Sequence, residues 1–471
     1  MENLFARADK TICAVSTAPG HGGVAIIRVS GTDSIKIVCK IASFLPQAPE
    51  SHRIYYGFVV HPHTQKKIDE VLISFFARGK SFTNEDVCEI SCHGNPLICD
   101  EIMQALFLCG ASVADRGEFT FRAFMNGRID LAQAESVLSL IQSQSKAAKS
   151  MALRQLEGHL STQIEAIETE LIRLLAHIEA DIDFSTEDLE TISKTEASQQ
   201  MASVISKMSI FINDYEQGKL LRDGIHVSFF GLPNVGKSSL FNRLVQNERA
   251  IVTNIPGTTR DVLEGTTTYK GVRFHFFDTA GIRSETSDEV ERLGIERSHS
   301  TNRAADISLF VTEAFRPLRA EEIVYLDAPV SRKVILVENK NDLSSDTGVE
   351  RFPGNQRIAA ANLNAKVCGY LQVSSLSDRS RDLILDSILS AAGVDLQRED
   401  TAVLSQSRHY ELLRSSRDLL VEAHRLTCDQ LGLELVALEL KSALLKIQEI
   451  LGKHYDDQIL DQIFKEFCLG K

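Results

Sequence analysis

Gly231-Leu232-Pro233-Asn234-Val235-Gly236-Lys237-Ser238-Ser239 is the stretch whose reading decides the fold. It carries the spacing G-x-x-x-x-G-K-S, and each fixed residue has a physical task. Glycines at both ends let the backbone turn its N–H groups inward on phosphate oxygens. Lys237 brings a compact positive charge to the terminal phosphates. The Ser238 hydroxyl is a hard oxygen ligand of the kind magnesium takes. Upstream, residues 225–230 are apolar at Ile225, Val227, Phe229 and Phe230, which predicts a strand. Downstream, residues 239–245 predict the start of a helix, whose N-terminus favours an anion. Strand, loop and helix together predict an α/β phosphate-binding domain.

Further motifs follow in the order a GTPase requires. Gly257-Thr258-Thr259-Arg260-Asp261 supplies Thr259 as a second hydroxyl for magnesium. A predicted strand over residues 272–277 delivers Asp278-Thr279-Ala280-Gly281, a D-x-x-G. Its Asp278 would hold magnesium through water and its Gly281 amide would meet the γ-phosphate. A predicted strand over residues 333–338 ends in Asn339-Lys340-Asn341-Asp342, an N-K-x-D. The Asp342 carboxylate can accept from guanine N1–H and the 2-amino group, a donor pair that adenine lacks. The Lys340 stem can lie along the purine. Residues 371–375 predict a last strand and turn that bring Ser374 and Ser375 over the guanine O6.

Hydrolysis is less directly written. The position after Gly281, where many GTPases hold a water-orienting glutamine, is Ile282. Carboxylates in Asp288-Glu289-Val290-Glu291-Arg292 could orient water instead. Arg260, Arg283 and Arg292 could neutralise transition-state charge. So could a monovalent cation held by the side-chain oxygen of Asn234.

The 471 residues suffice for about three domains. Hydrophobic residues make up 43% and charged residues 24%, with no run long and apolar enough to cross a membrane. Residues 1–10 lack a signal or transit pattern, so a cytoplasmic protein without membrane insertion is expected. Nine irregularly spaced cysteines predict reduced thiols. The net charge of −13 gives no overall attraction to nucleic acid. Any RNA contact would then come from a local basic patch or a partner protein.

Residues 24–30, 71–77 and 87–92 predict strands and residues 96–108 a helix, giving an α+β class to residues 1–126. His61 with His63, and Cys88 with Cys92 and His93, lack the paired spacing of a structural zinc site. Leu153, Leu156, Leu160, Ile164, Ile167, Leu171, Leu174 and Ile178 predict one long amphipathic helix, and residues 197–217 a second. Leu433, Val436, Leu440, Leu444, Ile447 and Leu451 predict another. These helices flank the phosphate-binding region on both sides, which predicts a GTPase domain (224–392) inserted into an all-α domain made of 127–223 and 393–471. The tail holds Cys468, a thiol that fits no prenylation box and reads as buried or incidental.

Together these stretches resemble the tRNA-modifying GTPase family called MnmE or TrmE. The resemblance spans the chain: Pro19-Gly20-His21-Gly22-Gly23, Phe82-Thr83-Asn84-Glu85-Asp86, Cys92-His93-Gly94, Arg116-Gly117-Glu118-Phe119-Thr120, Asp130-Leu131-Ala132-Gln133-Ala134-Glu135, and the terminal Phe467-Cys468-Leu469-Gly470-Lys471. It implies an N-terminal tetrahydrofolate-binding-like domain that dimerises, a helical domain, and an inserted Ras-like P-loop GTPase domain. It also implies 5-formyl- or 5,10-methylene-tetrahydrofolate at Arg28, Glu89, Arg128 and Lys471. Magnesium would sit at Ser238 and Thr259, and potassium at Asn234, Thr253, Ile255 and Thr258. Asn254 and Pro256 would complete the nucleotide segment with Val235, Gly236, Ser239, Gly257, Thr279 and Ala280. Glu291 and Lys237 would serve catalysis, with Cys468 a candidate nucleophile. The implied partner is an FAD-containing protein, MnmG or GidA, in a heterotetramer. The implied product is a carboxymethylaminomethyl or aminomethyl group on C5 of the wobble uridine of certain tRNAs. The alternative is a regulatory or ribosome-assembly GTPase without modification chemistry.

Overall fold

The computed structural model describes residues 4–7, 9–183, 192–245, 263–278, 305–314, 318–327, 333–345, 367–395, 404–429 and 431–470. The chain forms two compact units: residues 1–141, 153–208 and 411–471 make the first, residues 142–152 and 209–410 the second.

The first unit holds a six-stranded sheet in the order β3-β4-β5-β2-β1-β6. Its strands are β1 (Ile12–Val15), β2 (Gly22–Ser30), β3 (Arg53–Val60), β4 (Lys67–Phe76), β5 (Val87–Gly94) and β6 (Ser112–Val113). The pairings are antiparallel except the parallel β1–β6 edge. Helices Ser34–Ile41 and Pro96–Leu108 seal one face, packing Val38, Ile41, Ile102 and Leu106 on Ile27, Val29, Ile73 and Ile90. The second of these starts where its sequence says it should. The Asn95 side chain accepts from the Leu97 N–H at 3.0 Å, and Pro96 occupies a first-turn position that needs no donor.

The predicted single helix through Leu153 and Ile178 is instead two, Lys146–Leu156 and His159–Asp183. The break is at Gly158, whose φ of +88° is a left-handed conformation that ends a helix. The buried stripe begins only after the break: Leu153 is exposed and Leu156 packs with Phe121 and Phe124, while the second helix buries Leu160, Ile164 and Ile167. It packs against the helix Leu433–Leu451, where Val436, Leu440 and Ile447 are buried. Glu168, nearly buried, is neutralised by Lys453 Nζ at 2.6 Å and accepts from Gln448 Nε2 at 3.1 Å.

The second unit holds another six-stranded sheet, in the order β12-β11-β10-β7-β9-β8. Its strands are β7 (Ile225–Phe230), β8 (Leu263–Tyr269), β9 (Val272–Asp278), β10 (Ile307–Glu313), β11 (Val334–Asn339) and β12 (Val367–Gln372). All pairings are parallel except β8–β9. Lys270 and Gly271, both at positive φ, close that hairpin in the conformation that suits strand twist. The central strands β10 and β11 are buried almost throughout, as parallel strands covered on both faces must be. The last strand begins earlier than its apolar pattern indicates and ends at Gln372, and its pairing with β11 shifts register at Val334/Ile335. From β7 the chain moves to the β8–β9 side, then crosses to β10. The C-terminal end of β7 is therefore the switch point where such sheets bind ligands.

Candidate functional site

The phosphate-loop stretch occupies that switch point. Gly231 has φ +138° and Gly236 φ +96°; a Cβ on the first would strike Val311 O and on the second Asn339 Nδ2. Both glycines are thus required by backbone conformation and by space. Asn234 also takes a left-handed φ, +64°, which asparagine tolerates better than most residues, and its side chain is exposed. Val235 anchors the loop in the core, while Ser238 and Ser239 stand exposed on the first turn of the helix Lys237–Val245. Lys237 is only 8% exposed. Its ammonium donates to Gly231 O at 2.9 Å and Leu232 O at 2.8 Å, so its charge is fixed across the loop.

The N-K-x-D motif is bolted to this loop. Asn339, fully buried, donates from Nδ2 to Val235 O at 3.0 Å, and its Oδ1 accepts from the Ser375 N–H at 3.0 Å. Lys340 pairs with Glu313 at 2.6 Å. Exposed Asp342 accepts from Ser374 Oγ at 2.5 Å, which orients its carboxylate. The buried carboxylate of Glu338 accepts from Tyr370 OH at 2.6 Å and Gln372 Nε2 at 3.0 Å, fixing β12 beside β11. No spacing in the sequence signals that bridge. Backbone pairing places Asp278 at the end of β9, opposite Phe229. Thr253, Asn254, Ile255, Pro256, Gly257, Thr258, Thr259, Arg260, Thr279, Ala280, Gly281, Arg283, Glu291 and Arg292 lie outside the described residues.

The first unit carries a different cluster. Strand register sets Arg28 opposite Glu89, and Arg28 Nε donates to Glu89 Oε1 at 2.9 Å. The Arg28 guanidinium stands 5.5 Å from the ring centroids of both Phe82 and Phe119. Arg128 lies 5.1 Å from the Phe82 ring and donates to Ser81 O at 2.9 Å. Burial, and then the neighbouring Arg28 charge, lower the Arg128 pKa from its ordinary value. Two cations held close and partly dry form a site that an anion would relieve. Behind it, Glu85 accepts from Ser30 Oγ at 2.6 Å and Arg122 at 3.1 Å, and Arg122 reaches on to Glu118 at 2.9 Å. This buried network fixes the turn that carries Phe82. Spacing did not reveal Phe82 and Phe119 as members of the cluster, because they meet Arg28 only through tertiary folding.

The chain's tail also belongs to the first unit. Phe464 and Phe467 are buried, and a Cβ on Gly117 would lie 2.5 Å from Phe464 O. Gly470, at φ +87°, is so close to Val15 O that a Cβ would strike it, and Val15 pairs with Ile27 beside Arg28. Cys468 is exposed, which removes the buried half of the buried-or-incidental reading, because the flanking Phe467 takes the core position. Lys471 lies outside the described residues. His61 accepts from the His63 and Thr64 N–H groups within its own turn, and His93 pairs with Asp69 at 2.8 Å. Among the described residues no His, Cys, Asp or Glu group is placed to hold a metal, and no helix is long and apolar enough to cross a membrane.

Residues 11–128 match the family model described as the GTP-binding protein TrmE N-terminus, and residues 131–468 the MnmE helical domain. The tRNA modification GTPase MnmE of Bdellovibrio bacteriovorus is 46% identical over 480 residues, covering 99% of this chain and 98% of that protein. The protein of the same name from Lactobacillus acidophilus is 37% identical, covering 98% of each. The solved G domain of the T. maritima FeoB iron transporter is 25% identical over 36% of this chain and 98% of its own, with a TM-score of 0.27, too loose a fit to add to the argument. On its length, its matched domains and its motifs, the chain belongs to the MnmE family of tRNA modification GTPases.

Proposed function

We propose that this chain hydrolyses GTP in a potassium-stimulated cycle. With a flavin-containing partner protein of the MnmG type, it adds a carboxymethylaminomethyl or aminomethyl group at C5 of the wobble uridine of certain tRNAs. The observation that carries the reading is the presence, in one chain, of two unlike anion sites: a phosphate loop joined to a guanine motif through Asn339, and a paired-arginine aromatic cluster. In the first, Lys237 and the loop amides bind the phosphates, Ser238 and Thr259 hold magnesium, and Asp342 selects guanine. The exposed Asn234 side chain offers an oxygen to a monovalent cation, with Thr253, Ile255 and Thr258. Glu291 orients the attacking water.

The second site suits tetrahydrofolate. Flat phenyl faces of Phe82 and Phe119 suit an aromatic ring of the folate, and the charges of Arg28 and Arg128 suit the carboxylates of its glutamate tail. Glu89 holds Arg28 in place, and Gly470 lies against Val15 on the strand paired with the one that carries Arg28; Lys471 adds a charge to the ligand set, with Cys468 the candidate nucleophile. When bound, a formyl- or methylene-tetrahydrofolate supplies the one-carbon unit. The protein works as a cytoplasmic homodimer formed through residues 1–126, with the GTPase region 224–392 inserted between helical parts 127–223 and 393–471. The partner supplies basic surface for tRNA that a chain of net charge −13 lacks.

The test is GTP turnover in potassium chloride and in sodium chloride at equal ionic strength. Strong stimulation by potassium that disappears in Asn234→Ala is expected. Equal rates in the two salts would move the charge-neutralising role to Arg260, Arg283 or Arg292.

A further inference from the structure

We propose that Arg243 is a positioning residue for guanine selection, acting from the phosphate side of the nucleotide site. It lies on the helix Lys237–Val245, which begins at the phosphate loop. Its guanidinium makes three bonds to one short segment: Nε to Ser375 O at 3.1 Å, Nη2 to Leu376 O at 2.9 Å, and Nη1 to Asp378 Oδ1 at 2.5 Å. That segment is the turn after β12. Ser374 in it orients Asp342, and the Ser375 N–H is held by Asn339. The turn is therefore gripped from two sides. Asn339 and Asp342 hold it from the base motif, and Arg243 holds its carbonyls from the phosphate helix.

The geometry calls for arginine. A fixed fork of donors satisfies two carbonyls and a carboxylate at once, which an ammonium on a flexible stem does not. The Asp378 partner is 96% exposed, so the carbonyl bonds matter most. Those two bonds hold the two residues that follow Ser374, whose own backbone is held by Ser380 Oγ, and Ser374 orients the Asp342 carboxylate that would read the 2-amino group. Loosening them should weaken binding of a base that has the 2-amino group more than of one that lacks it.

The inference rests on the GTPase reading, and the experiment separates the two. Dissociation rates of fluorescent GDP and of fluorescent IDP, whose hypoxanthine lacks the 2-amino group, are measured on the full chain for wild type, Arg243→Ala and Arg243→Lys. Wild type should hold GDP longer than IDP. Arg243→Ala should release GDP about tenfold faster and IDP only about twofold faster, the loss corresponding to one charge-assisted bond. Arg243→Lys should lie between. Equal acceleration for both nucleotides would overturn the proposal in favour of a general packing role, and so would rates within twofold of wild type. If Arg243→Ala does not fold, Arg243→Lys decides by the same ratio. A wild type that binds neither nucleotide would instead sink the GTPase reading.

Discussion

The nucleotide site of the second unit and the arginine cluster of the first, proposed as a second anion site, are built by opposite means. The nucleotide site is made of backbone: left-handed turns at Gly231, Asn234 and Gly236, with buried Asn339 and Lys237 holding loop carbonyls. The cluster is made of side chains: Arg28, Glu89 and Arg128 around Phe82 and Phe119, aligned by strand register. A backbone cradle needs its glycines at fixed short spacing, so it leaves a contiguous signature. A side-chain cluster can draw on any strand or loop that the fold brings together, so it leaves none. The backbone site should therefore be brittle to a single methyl group. The side-chain site should degrade in steps as charges are removed.

The largest effect should follow Gly236→Ala. The added methyl meets Asn339 Nδ2 at a φ of +96°. Strain and the displaced Asn339 bridge together should cost about 3 kcal/mol or more, roughly a hundredfold in GDP affinity. Equilibrium titration with fluorescent GDP checks this. Retention of affinity within tenfold would mean that the loop relaxes and that the contrast with the cluster is overdrawn.

This contrast also decides what could be read without coordinates. The phosphate loop, the strand before it and the N-K-x-D strand stand where periodicity and spacing put them, since each depends on neighbours in sequence. The helix Pro96–Leu108 is equally legible because its apolar period is a local signal. The break in the long helix is not legible in the sequence, because apolar residues keep helical spacing across Gly158 and periodicity alone does not register a left-handed residue. Arg28, Glu89 and Arg128 entered only through family resemblance. Nothing in their spacing announces that β2 and β5 align two of them. The grip of Arg243 on residues 375–378 was likewise invisible, since it joins positions more than 130 apart in sequence.

A second break in the comparison is Gly452→Ala. Gly452 ends the helix Leu433–Leu451 at φ +72°, and a Cβ would lie 2.7 Å from Phe124 Cε2 and 2.8 Å from Leu131 Cβ. The substitution should cost the first unit about 2–3 kcal/mol through lost capping geometry and overpacking. Hydrogen exchange should show lost protection in that helix and in the helix Glu118–Met125, with β10 and β11 unchanged. Equal loss in both sheets would mean that the units do not unfold separately. A smaller effect is expected of Arg28→Ala, which leaves the partly buried Glu89 without its cation at a cost of about 1–2 kcal/mol. Calorimetric titration with 5-formyl-tetrahydrofolate should show weakened binding that Arg28→Lys partly restores. Unchanged affinity would place the ligand elsewhere.

The smallest effect separates the units by pH. His275, on β9, stacks on His226 with ring centroids 4.9 Å apart. Burial, then the neighbouring His226 and Arg273 charges, push its pKa down from 6.5 to about 4. The unfolded chain therefore binds a proton at this residue between pH 6.5 and 4 that the folded chain refuses. By linkage, stability is fully present above about pH 6.5 and falls as pH drops toward 4. The ring is only about half buried, so solvent screening should hold the effect below about 1 kcal/mol. Urea unfolding followed by circular dichroism at pH 7.5 and pH 5 tests it. The midpoint of wild type should fall further on acidification than that of His275→Gln, since every other titrating group is common to both chains. Parallel shifts would mean that His275 protonates in place, and that this end of the second unit's sheet admits water as freely as the surface of the first.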